Sequence, residues 1–80
     1  MPKLKKTARQ QTELNIKAVF YYALAQKGWT QSHLAEILGK DPARISRIFN
    51  DPCNRKFSVL YEVANRLGVD LSKAIRGETQ

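Results

Sequence analysis

From Glu13 onward, apolar side chains recur at helical spacing. Ile16, Phe20, Ala23 and Leu24, with Val19 beside them, form one face, and no Gly or Pro interrupts the run. Lys27 then Gly28 marks the end of this helix: a cation suits a helix C-terminus, and glycine readily takes the left-handed conformation that closes one. Thr30 is a good N-cap for the next helix, and Trp29 before it is spaced to pack on Leu34. Leu34, Ala35 and Leu38 give the inner stripe of a short helix over 31–38, ended by Gly39. Asp41-Pro42 opens a third helix over 42–49, with Asp as N-cap and Pro at the first helical position. Ile45, Ile48 and Phe49 face inward, and Asn50-Asp51-Pro52 stops the helix. After a polar loop over 50–56, a fourth helix from Phe57 or Ser58 to Leu67 buries Leu60, Val63, Ala64 and Leu67. Gly68 ends it, and Asp70 or Ser72 starts a last short helix with Leu71, Ala74 and Ile75 turned inward, before Gly77. No strand pattern, repeat or low-complexity block interrupts this order. The fold class is therefore all-α.

Residues 1–12 break the pattern. They carry Lys3, Lys5, Lys6 and Arg9 with almost nothing apolar, so they read as a basic flexible tail ahead of a domain over 13–77. Eighty residues allow one domain with one modest core, and 42% hydrophobic residues is ordinary for a globular chain. No apolar run is long enough to cross a bilayer. The start Met-Pro-Lys-Leu-Lys-Lys has no apolar stretch behind its charges and does not read as a secretory signal. Cys53 has no second cysteine to pair with, and His33 is the single histidine, so no metal spacing exists and no cofactor is expected. Cys53 reads as an inert loop thiol and His33 as a surface residue. These features suit a reduced, cytoplasmic protein. Gly-rich phosphate loops, Gly-x-Ser-x-Gly and paired metal ligands are missing from the sequence, which speaks against catalysis. Fourteen Lys and Arg against seven Asp and Glu leave a net charge of +7, a balance that draws polyanions.

Two short helices joined by a tight glycine turn are the geometry of the helix-turn-helix. Ala35 sits where the two axes are expected to come closest. Gly39, four residues later, takes the turn, and Ile45 drops from the second helix into the pocket between them. Leu34, Leu38 and Ile48 complete a small shared core. The outward face of the helix over 42–49 is then left with Pro42, Ala43, Ser46 and Arg47, flanked by Arg44.

The run Thr30-Gln31-Ser32-His33-Leu34-Ala35-Glu36-Ile37-Leu38-Gly39, followed by Ile45 and Ile48, resembles the Cro and repressor proteins of lambdoid phages and their bacterial relatives, the Xre family. Leu60-Tyr61-Glu62-Val63-Ala64-Asn65-Arg66-Leu67-Gly68-Val69 is similar to that family's fourth helix and the turn after it. The resemblance spans roughly 13–77 and implies a five-helix lambda-repressor-like fold. It implies that helix 42–49 enters the major groove and helix 31–38 crosses the backbone. It also implies that Gln31 and Asn50 bind phosphate and that Ala43 and Arg47 face base edges. Pro42 departs from the pattern: it occupies the first reading position, where relatives often carry a polar residue. Lys40 departs too, replacing the small or apolar residue usual in the turn, and is expected to point to solvent or phosphate.

The expected function is sequence-specific binding of double-stranded DNA by a transcriptional regulator, a repressor of phage or bacterial type. The alternative is an antitoxin that binds a toxin protein and its own operator. Base reading is assigned to Ala43, Arg44, Ser46 and Arg47, with Arg47 the main candidate for a guanine. Phosphate contact is assigned to Thr30, Gln31, Lys40, Asn50, Arg55 and Lys56; for Arg55 and Lys56 the competing reading is a loop that charge keeps soluble. Lys3, Lys5, Lys6 and Arg9 are candidates for an arm on DNA, or else form a solvated end. Tyr21, Tyr22 and Tyr61 read as core or interface rather than as base-stacking residues. A homodimer on two half-sites is expected, with Leu71, Ala74 and Ile75 as its surface, because little chain follows to cover them.

Overall fold

A computed structural model describes residues 7–78. Among these residues five helices follow one another: α1 Ala8–Lys27, α2 Gln31–Leu38, α3 Pro42–Asn50, α4 Phe57–Leu67 and α5 Leu71–Ile75, with a 3-10 turn at Pro52–Asn54 between α3 and α4. Among the described residues there is no strand. No helix among the described residues is long and apolar enough to cross a membrane.

The caps explain most of the boundaries. Thr30 Oγ1 accepts from the His33 amide, Asp41 Oδ1 from the Ala43 amide, and Asp70 Oδ1 from the Ser72 amide. Each satisfies a donor that the first helical turn leaves without a partner. Gly39 closes α2 with φ of 67°, in the left-handed region. The turn to α3 therefore needs a residue without a Cβ penalty.

α1 starts earlier than the apolar pattern indicates. Thr7 and Gln10 form a capping box, in which Thr7 Oγ1 accepts from the Gln10 amide and Gln10 Oε1 accepts from the Thr7 amide. Residues 8–12 are helical on the strength of that cap rather than of burial, and the expectation of a tail reaching residue 12 is corrected accordingly. Lys3, Lys5 and Lys6 lie outside the described residues.

One core unites all five helices. Phe20, Leu34, Ala35, Ile45, Phe49, Val63 and Ala74 are fully or almost fully buried, and Trp29, Leu38, Val59 and Val69 pack against its edge. Among the described residues no polar or charged side chain is buried. α2 and α3 share the densest contact, and α1 runs along α5. That second packing corrects the expected dimer surface. Leu71 and Ala74 are 4% and 0% exposed, so they belong to this chain's own core. α1 packs along α5, with Asn15 Nδ2 donating to the Ile75 carbonyl. Only Ile75, 39% exposed, keeps an apolar surface there.

Candidate nucleic-acid interface

α3 holds its position through Ile45, Ile48 and Phe49, which are almost completely buried. Helical geometry then turns the remaining positions outward. Pro42, Ala43, Arg44 and Arg47 are exposed and Ser46 is half-buried. Ala35, with no exposed surface, lies with Leu34 on the buried side of α2, the helix that packs most closely on α3. Neither Arg44 nor Arg47 makes an ion pair among the described residues. An exposed helix face with two guanidiniums free to leave water is suited to a polyanion.

Beside this face lies a cleft of about 340 Å³ between α3 and the start of α4. Lys40, Arg44, Arg55 and Lys56 line it, with Ile48 and Val59 below. Four basic residues that are up to 16 positions apart in sequence thus share one concave surface. α4 begins there without a side-chain cap, since its N-cap residue is Lys56. The positive end of the helix dipole therefore adds to the side-chain charge.

The basic residues are not equally available. Lys40 Nζ lies 3.2 Å from Glu62 Oε1 on α4, and its side chain is only 19% exposed. The expectation that Lys40 points to solvent is corrected: the fold brings α4 close enough for a carboxylate to take it. Arg55 lies 3.8 Å from Asp51 and also donates from Nε to the Asp51 carbonyl. Arg9, expected on a free arm, sits on α1 and donates to Asn54 Oδ1. The Cys53 thiol points at the Arg9 carbonyl, 3.7 Å away, so α1's first turn is fastened to the turn at Pro52–Asn54. The Asn54 amide, with help from Arg55 and Arg9, holds the Asp51 carboxyl below its ordinary value of 3.8. Lys56 makes no ion pair among the described residues.

The polar candidates are local. The Thr30 hydroxyl oxygen serves as the α2 cap. Asn50 is exposed and its amide is within 3.4 Å of Ser46 Oγ, one turn back on α3. Gln31, the first residue of α2, donates from Nε2 to the Tyr21 hydroxyl at 2.9 Å. Sequence reading gave Tyr21 no part in this site. The Tyr21–Gln31 pair crosses from α1 to α2, so helical spacing within either element carries no signal of it. His33 stacks edge-on against Trp29 and is exposed, as its place on the outer face of α2 suggests.

None of the curated proteins or solved structures compared with the chain matches it. A family model described as Helix-turn-helix does match, over residues 20–73, which takes in the last two turns of α1 and all of α2, α3 and α4. The match covers well over half of the chain and is centred on the α2–α3 pair whose packing and outward face are described above. The chain belongs to the Cro/C1-type helix-turn-helix family, the Xre family, of DNA-binding transcription regulators.

Proposed function

We propose that the protein is a sequence-specific repressor that inserts α3 into the major groove of its operator. The observation that supports this best is the continuity between the α3 outer face, where Arg44 and Arg47 make no ion pair among the described residues, and the basic cleft that ends at Lys56. A groove wall and a flanking phosphate strand would meet these two surfaces together. Arg47 reads a guanine through O6 and N7, because Pro42 and Ala43 offer no side-chain hydrogen bond to a base. Ala43 supplies a methyl to apolar base edges, and Ser46 is a secondary reader. Arg44 and Lys56 hold phosphate, and Gln31, Asn50 and Thr30 position the domain on the backbone. Repression follows from occupying a promoter-overlapping operator.

Two copies on two half-sites would raise affinity, and this remains part of the proposal although Leu71 and Ala74 cannot supply the contact. Selection of bound sites from random duplex DNA tests the reading. A palindromic consensus with half-sites about one helical turn apart is expected; recovery of unrelated sequences only would overturn sequence-specific repression. A second reading, the antitoxin, has its own support. Phe57 and Tyr61 stack at 6.2 Å between centroids and are 66% and 55% exposed, an aromatic surface suited to a protein partner. Copurification of a toxin from the native host, lost in Tyr61→Asp, would favour that reading.

A further inference from the structure

We infer that Tyr21 is a phosphate-contacting residue of the DNA interface and acts as one unit with Gln31. The inference rests on the DNA reading and extends it to α1, which so far has served only as scaffold. Tyr21 Oη accepts the Gln31 amide at 2.9 Å. A phenol oxygen that accepts a hydrogen bond still has its own proton to donate, and the Gln31 amide has a second N–H. The pair therefore presents two donors side by side, at a spacing comparable to that of two oxygens on one phosphate. Tyrosine and glutamine are both ordinary neutral partners of DNA phosphates.

The position of the pair is set by packing. The Tyr21 ring meets Phe49 edge-on, with centroids 5.1 Å apart and planes at 75°. Phe49 has no exposed surface and lies one residue before Asn50 at the end of α3. Tyr21 is thus fastened to the reading helix by its ring and to the start of α2 by its hydroxyl, while 44% of it stays exposed. A purely structural role explains this poorly. A glutamine gives up much of its rotamer freedom on entering such a bond, and a neutral hydrogen bond near water returns little for it. Fixing the amide in advance is an advantage when a ligand then uses it. Neither group carries charge, so their contact with phosphate releases no counterion, unlike a contact made by Lys or Arg.

Tyr21→Phe keeps the ring against Phe49 and removes only the hydroxyl. Wild type, Tyr21→Phe, Gln31→Ala and the double variant are titrated against the selected operator and a scrambled duplex across a salt series. Thermal midpoints are measured alongside. Tyr21→Phe is expected to weaken binding to both duplexes equally, by about threefold to tenfold, the loss of one neutral hydrogen bond. Its salt slope and thermal midpoint should match wild type. The double variant should lose less than the two single losses combined, because the donors act together. An operator with a single neutral methylphosphonate at the contacted position should weaken wild type but not the double variant. Wild-type affinity in Tyr21→Phe, a loss that follows a lowered thermal midpoint, or strict additivity with Gln31→Ala would overturn the inference while leaving the DNA reading in place. Failure of the wild-type protein itself to bind any duplex at low salt would overturn both.

Discussion

Two sets of cations in this molecule differ in what holds them. On α3, Arg44 and Arg47 stand exposed and make no ion pair among the described residues, and Lys56 at the start of α4 makes none either. Around them, Lys40 is held by Glu62, Arg55 by Asp51 and Arg9 by Asn54. The first set costs little to move onto a phosphate or base. The second must break an existing partnership first, so each of its members gains less on meeting DNA. The count of fourteen Lys and Arg therefore overstates the number of phosphates this domain can readily neutralise.

The largest effect should come from breaking the frame that both sets depend on. Ala35 has no exposed surface, on the helix that packs most closely on α3. Ala35→Leu should destabilise the fold by about 1–3 kcal/mol through overpacking, and the surviving folded protein should bind DNA poorly because α3 is displaced. Thermal denaturation and operator titration read these two losses separately, and a stable, fully binding variant would remove the packing argument.

Next in size is the unpaired set. Arg47→Ala should cost about 1–3 kcal/mol on the best operator and relax preference at one base pair of each half-site. Binding to single-base operator variants distinguishes this from a phosphate clamp, which would lose equally on all of them. Lys56→Ala should reduce the salt slope by roughly 0.9, the value of one phosphate contact.

The held set should answer more weakly, and one substitution should reverse the sign. Lys40→Ala should change affinity and slope less than Lys56→Ala, because Glu62 already neutralises the ammonium. Glu62→Gln should strengthen binding to every duplex and steepen the salt slope, since Lys40 is then free for phosphate. An unchanged slope in Glu62→Gln would mean that Lys40 lies out of reach of the backbone, whatever its partner.

The smallest effect concerns acid. Asp51, Asp70 and Glu78 are each held below their ordinary values, chiefly by hydrogen bonds from Asn54, Ser72 and Arg76 respectively. Their folded forms bind protons less readily than the unfolded chain does. Their contribution is therefore complete above the ordinary carboxylate values of 3.8 and 4.5 and is lost as pH falls through the lower folded values. The thermal midpoint should accordingly fall modestly between neutral pH and about pH 3. Asp51→Asn should flatten that fall slightly and should also free Arg55 for phosphate.

Sequence alone determined most of the helices and the helix-turn-helix pair, because those features depend on neighbours within about one turn. The inward face of α3 follows from Ile45, Ile48 and Phe49, and its start from Asp41 and Pro42. The early start of α1 was equally local: Thr7 and Gln10 carry the spacing of a capping box, which lies in plain sight but outside any apolar period. What only the tertiary structure decided is which side chains from different helices meet. Lys40 and Glu62 are 22 positions apart, Arg9 and Asn54 are 45 apart, and Tyr21 and Gln31 sit on separate helices. The packing of α1 against α5 removed Leu71 and Ala74 from the surface for the same reason. A periodic pattern says which face of a helix is apolar. It does not say which other helix will cover that face, or which carboxylate will arrive beside a lysine when it does.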